Sequence, residues 1–356
     1  MQSSEDLRVS KQTRICYDKK SFKSMNMNLP HFLNSYTGMY MAQAFCHSVI
    51  AALIVDRAIQ AWRISNPLIR QRFSLIVMVS PILCFPVYQI INPDRGSLSF
   101  RLEALFDINR WLNIELWGKF PLSVLFILLL SITTLVFLFQ EMVPIVKHTI
   151  ETWSASEEIT THDDPLIHKA LELIPGEKPL VSLIDDDDEL ILFSTTVKTP
   201  TIFLSTGLIR GLSVDEIQAA IAHEIAHIRR NRRPLLIIIY LIRVLMFFNP
   251  VVLVEFRRIV QEEEKVCDDI AVSLTRKPHA LAEILEKFNK KTEALPLDKM
   301  KNLSVLSTVV EDYSHNIHME SRITRLEKGT GLQPGGQWGK FLVTALVTFV
   351  INYFVV

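Results

Sequence analysis

Cysteine is scarce in this sequence and never paired. Only Cys16, Cys46, Cys84 and Cys267 occur in 356 residues, and no two are spaced C-x-x-C. Neither a disulfide framework nor a thiolate zinc site is therefore indicated. Cys267 reads as a small buried residue. A surplus of positive charge is missing as well, since 38 Lys and Arg balance 38 Asp and Glu. Nucleic-acid binders draw their affinity from such a surplus, so no direct nucleic-acid binding is expected. What the chain has in quantity is apolar surface. Hydrophobic residues make up 49% and the mean hydropathy is +0.24, high for a soluble protein, so membrane segments and contact with a lipid bilayer are expected.

Residues 1–35 are polar, carry Arg8, Lys11, Arg14, Lys19, Lys20 and Lys23, and show no apolar periodicity. They read as a disordered leader, with Met25 and Met27 as alternative starts. Three apolar runs follow, Tyr36 to Val55, Phe73 to Ile91 (carrying Pro81 and Pro86) and Phe120 to Phe139. They predict a three-helix transmembrane region over 36–145. His47, inside the first run, is expected to bond a neighbouring helix. A last apolar run, Phe341 to Val356, predicts a short C-terminal membrane helix over 339–356.

The stretch between, 146–338, is long enough for a core of its own. Strand signals lie at 180–184, 190–193 and 201–204, with Asp185 to Asp188 read as a solvated hairpin turn between the first two rather than a calcium loop. Then comes the stretch that carries chemistry, His223-Glu224-Ile225-Ala226-His227. On a helix, residues four apart share a face, so His223 and His227 aim two imidazoles at one ion. Glu224 beside them can take a proton from a water at that ion. A chance H-E-x-x-H in this composition is on the order of 2%, so the motif needs its context. Ser213-Val214-Asp215-Glu216 is a capping box that starts the helix. Ile217, Ala220, Ile221, Ile225 and Ile228 carry a buried stripe through it.

Downstream, Glu264 offers a third ligand, and Asp268, one turn on, can accept the outer N–H of a ligand histidine. Two histidines and a glutamate leave a fourth position for water, the catalytic form of a zinc site with one Zn2+ per chain. The expected fold is a mostly α integral membrane protein with an α+β metalloprotease domain carrying a small sheet. A strand near 193–196 is expected to be an open edge that receives an extended peptide.

A zinc site here restricts the topology. Pro234 to Phe256 is apolar and long enough to cross a bilayer, yet it separates His227 from Glu264. One full crossing would hold these ligands ~30 Å apart. The run is therefore predicted to bend at Asn249-Pro250, with Arg243 kept out of lipid. Arg229, Arg230, Arg232 and Arg233, just before it, are expected to meet lipid phosphates on the cytoplasmic side.

The stretches His223 to Arg230, Phe247-Phe248-Asn249-Pro250 and Glu264 to Asp269, with the upstream spans, closely resemble the BlaR/MecR-type membrane metallopeptidases, which are gluzincins. The resemblance implies zinc on His223, His227 and Glu264, Glu224 as general base, and Asp268 behind a ligand. It implies hydrolysis of a protein or peptide, often a regulatory protein such as a repressor, at the cytoplasmic face of a bacterial inner membrane. Two departures stand out. Many relatives carry aspartate where this chain has Arg232, and the beta-lactam-sensing members have a large extracellular domain after the last span, which this sequence does not show. His315, His318 and Arg322 resemble a late His…Arg-Ile element of related membrane zinc proteases, where one of them would stabilise an oxyanion. The rival readings are a quality-control or prenyl-protein protease, and a catalytically silent receptor or scaffold.

Overall fold

The structure, a computed structural model, describes residues 32, 35–118, 120–143, 164–187, 190–195, 199–231, 233–294, 319–329 and 337–356. Of the predicted leader over 1–35 only residues 32 and 35 are among these, and His315 and His318 lie outside the described residues.

Helices α1 (Tyr36–Ala61), α2 (Pro67–Ile91) and α3 (Leu122–Phe137) coincide with the three apolar runs. A π-helical turn, Leu138–Met142, extends α3. All three are long and apolar enough to cross a membrane. Their starts are set locally. The Ser35 hydroxyl accepts from the Gly38 N–H, and Asn66 accepts from the N–H groups of Leu68 and Ile69, with Pro67 in the first turn, where a missing N–H costs nothing. α2 stays continuous through Pro81 and Pro86.

The domain that follows opens with α4 (Pro165–Glu172) and three strands, β1 (Leu180–Ile184), β2 (Leu192–Thr195) and β3 (Thr201–Ser205). The sheet order is β1-β3-β2, with β1 parallel and β2 antiparallel to β3. The hairpin expected between the first two strands does not form, because β3 lies between them. The acidic turn is drawn elsewhere. Asp186 offers its carbonyl to the Gly207 N–H at 2.8 Å, while Asp187 accepts from the Thr206 hydroxyl at 2.7 Å and pairs with Arg210. A Cβ on Gly207 would sit 2.5 Å from the Asp187 carbonyl oxygen, so only glycine fits this approach. β2 lies at one edge of the sheet, as the edge expectation requires, and stacks Phe193 on Phe203 at 4.8 Å.

Helix α5 (Val214–Arg230) starts at the predicted capping box: Ser213 accepts from the Glu216 N–H, and Glu216 accepts from the Ser213 N–H. Its stripe of Ile217, Ile221 and Ile225 is buried together with Ile202 and Leu204 of the sheet. α6 (Arg233–Leu245) and α7 (Pro250–Thr275) form the bent apolar segment. The break falls where expected. Asn249 caps α7 through the Val251 N–H and donates to the Ser48 hydroxyl of α1 at 3.0 Å. Arg243 is fully buried inside protein, 3.3 Å from Glu141 and over the Phe137 ring.

After α8 (Pro278–Ala294) and α9 (Met319–Glu327) comes α10 (Trp338–Tyr353), the last apolar helix. At 16 residues it is shorter than the three membrane spans of 26, 25 and 21 residues (the last counting the π-helical turn after α3), and it packs on α1 and α2. Arg95 donates to the Tyr353 carbonyl at 2.9 Å and to that of Asn352 at 3.2 Å, binding its end. His47 lies 3.4 Å from the Val355 carbonyl and edge-on to Tyr88. It bridges segments, as the sequence suggested.

Candidate metal centre

α5 and α7 pack closely against each other, and the predicted site lies where they meet. His223 and His227 face one point from successive turns of α5, their Nε2 atoms 3.1 Å apart. α7 brings Glu264 to the same point, 3.4 Å from His223 Nε2 and 3.6 Å from His227 Nε2. In a tetrahedral zinc site with bonds of 2.0–2.1 Å, ligand atoms lie about 3.3 Å from one another. The three separations lie near that value, the two to Glu264 running to its two different carboxylate oxygens, so the donor set is compatible with a shared metal ion. His223 and Glu264 are buried and His227 is partly open, which leaves access from one side only. Glu224, also buried, follows the first ligand.

Three further side chains stand behind the ligands. His223 Nδ1 lies 3.1 Å from Asp268 Oδ1. His227 Nδ1 lies 3.5 Å from the Cys267 thiol, a buried residue as expected. Arg322 of α9 is 3% exposed and grips Asp268 with two nitrogens, at 2.8 and 2.7 Å, while a third lies 3.2 Å from Glu264. It is no helix-surface residue, and its fork is directed at these carboxylates.

The electrostatics follow from this crowding. Burial pushes the His223 imidazole down, but Asp268 and Glu264 more than reverse it and raise it to about 9. Burial alone would lift Asp268, yet Arg322 and His223 hold it well below the usual carboxylate range. Burial and the neighbouring Glu264 raise the Cys267 thiol, so it stays neutral. The centre is thus a buried cluster in which two carboxylates favour positive charge at His223.

Residues 193–291, from β2 to α8, match the family model described as BlaR1 peptidase M56. This stretch is an M56-type peptidase segment. It contains His223, Glu224, His227, Glu264 and Asp268, so the resemblance seen in the sequence holds and the protein carries a metal-dependent peptidase unit. No curated protein matches the chain. Around the M56 segment the helices long enough to cross a membrane make it a membrane-associated peptidase.

One expectation around the M56 helix needs correcting. Arg230 does not reach toward lipid: it forks onto Glu263 at 2.5 and 2.7 Å. Arg229 donates to the Pro175 carbonyl at 2.9 Å. Counting arginines along the chain gave no sign of these acceptors. The side chains of Arg232 and Arg233 lie outside the described residues. Glu263 itself was passed over as one of three consecutive glutamates; its one distinguishing signal is a place directly before the third ligand.

Proposed function

We propose that this protein is a membrane-embedded zinc endopeptidase that cuts protein substrates at the cytoplasmic face of a bacterial inner membrane, in the manner of regulatory proteolysis. The observation that carries the reading is the convergence of His223 Nε2, His227 Nε2 and the two oxygens of the Glu264 carboxylate, with separations of 3.1 to 3.6 Å, close to the edge of a zinc tetrahedron. His223, His227 and Glu264 would hold one Zn2+. Zinc bound there would polarise the scissile carbonyl and bring the pKa of a coordinated water toward ~7.

The chain's own groups supply the rest. Glu224 takes the proton from the attacking water and returns it to the leaving amine. Asp268 holds the outer nitrogen of His223, which fixes the imidazole's direction and tautomer. Arg322 keeps Asp268 ionised for that task and steadies Glu264. The edge strand β2, packed against the metal helix, offers an extended substrate a partner for backbone pairing.

The helix α2 to which α7 is packed, and the break at Asn249, support a site close to the membrane surface with 234–256 folded back rather than crossing once. The decisive experiment compares purified wild type with Glu224→Ala. Zinc retained at one per chain with hydrolysis lost is the expected result. Zinc absent from the wild type, or hydrolysis unaffected in the variant, would refute the reading and favour a silent scaffold.

A further inference from the structure

We propose that Glu263 is a positioning residue for the ligand Glu264, and that through Gln71 it ties membrane helix α2 to the metal centre. This rests on the zinc reading above.

Glu263 is a carboxylate only 2% exposed, on a helix that faces protein on several sides. Its oxygens are taken by two helices. Gln71 of α2, itself 3% exposed, donates its side-chain N–H to Oε2 at 2.9 Å, and its amide also lies 3.5 Å from the Ile259 carbonyl of α7. Arg230 donates to Oε1 at 2.5 Å and to Oε2 at 2.7 Å. Arg230 stands in the last turn of α5, three residues after His227. One carboxylate therefore joins the helix of both histidines, the helix of the glutamate ligand and a membrane helix. Beside it, Arg70 of α2 lies 3.7 Å from Glu262, so the α2–α7 seam is polar at the level of the site.

Adjacent residues on a helix point about 100° apart, so fixing Glu263 fixes the rotation of α7 and with it the direction of Glu264. With side chains reaching about 5 Å from the helix axis, a 10° rotation displaces the Glu264 carboxylate by roughly 0.9 Å. Ligand distances in metal sites hold to about 0.2 Å, so so small a turn would spoil the centre. A shift of α2 in the membrane is thereby transmitted to the metal.

The test uses full-length protein in detergent micelles, loaded with Co2+, whose absorption reports ligand geometry. Three variants are compared with wild type: Gln71→Met, Glu263→Gln, and the double variant Arg230→Met/Glu263→Met. The last removes both charges together, so that no buried ion is left alone and folding is retained. The expected result is a changed Co2+ spectrum and a 10- to 100-fold weaker affinity for zinc, with metal-free Gln71→Met still folded and unfolding in one cooperative transition at a modestly lowered midpoint. Wild-type spectra and affinities in folded Gln71→Met and in the folded double variant would overturn the proposal. Wild type that binds no Co2+, or binds it regardless of Glu264→Ala, would instead overturn the zinc reading on which it rests.

Discussion

Arg322 gives the sharpest quantitative consequence of the site. It is 3% exposed and places three nitrogens on two buried carboxylates, at 2.8 and 2.7 Å to Asp268 and 3.2 Å to Glu264. Arg322→Met keeps most of the volume and removes the charge. Breaking a buried pair from one side costs about 3–5 kcal/mol, because the partner stays buried without compensation. Set against a typical stability of about 5–15 kcal/mol, the variant remains folded but with a reduced margin. Arg322→Lys should fall in between, since a lysine keeps the charge but cannot make the two-pronged contact. Zinc should recover part of the loss, because a divalent ion at Glu264 compensates one of the stranded carboxylates. The double variant Arg322→Met/Asp268→Asn should cost much less than the sum of the single ones. The measurement is denaturant unfolding in detergent micelles, first stripped of metal and then with zinc. A metal-free Arg322→Met protein within 0.5 kcal/mol of wild type would mean that the clamp is not a buried ion pair at all.

The capping box makes a prediction in pH. Burial would raise the Glu216 carboxyl, but Lys287 and the Ser213 N–H and hydroxyl together lower it. A carboxyl depressed by folding contributes stability above its unfolded value, about 4.3, and loses it as pH falls through the folded value. Unfolding of the peptidase segment should therefore become easier as pH falls below about 5, and Glu216→Gln should flatten that dependence; an unchanged slope would count against the cap. Asn249→Ala removes a helix cap worth about 1 kcal/mol and a buried hydrogen bond to Ser48, whose hydroxyl keeps the Phe45 carbonyl, for about 0.5–1.5 kcal/mol more, to be read as a shift in unfolding midpoint. Along β2, proline at whichever of Phe193 and Ser194 turns its N–H away from β3 should slow peptide cleavage while leaving the unfolding transition in place. Cleavage at the wild-type rate would remove strand addition from the mechanism.

The meeting of His223, His227 and Glu264 was legible in the sequence because its information is local or topologically forced. Ser213 and Glu216 start α5, the four-residue spacing aims His223 and His227 together, and the isoleucine stripe decides which face is buried. Glu264 is 37 residues beyond His227, but once an ion is shared, the apolar run between them has to double back. Asn249-Pro250 is the place where its backbone allows that. Strand order was illegible for the opposite reason. Nothing local in Leu180–Ile184 says whether it pairs with 192–195 or with 201–205, and the close approach of Gly207 to the acidic turn, which accompanies the observed pairing, involves residues distant in sequence.

Arg230 went wrong in the same way: a charge near an apolar run looks like a lipid contact until its acceptor is located, and that acceptor, Glu263, is one residue from the candidate ligand Glu264. Buried carboxylates such as Glu263 and Asp268 are expensive unless each is paired. In this protein the residues that pair them come from α2, α5 and α9, so the elements that keep the centre charged are also those that hold it to the membrane helices. Stability and ligand geometry are then set by the same few ion pairs, and perturbing the membrane bundle without perturbing the metal site should prove difficult.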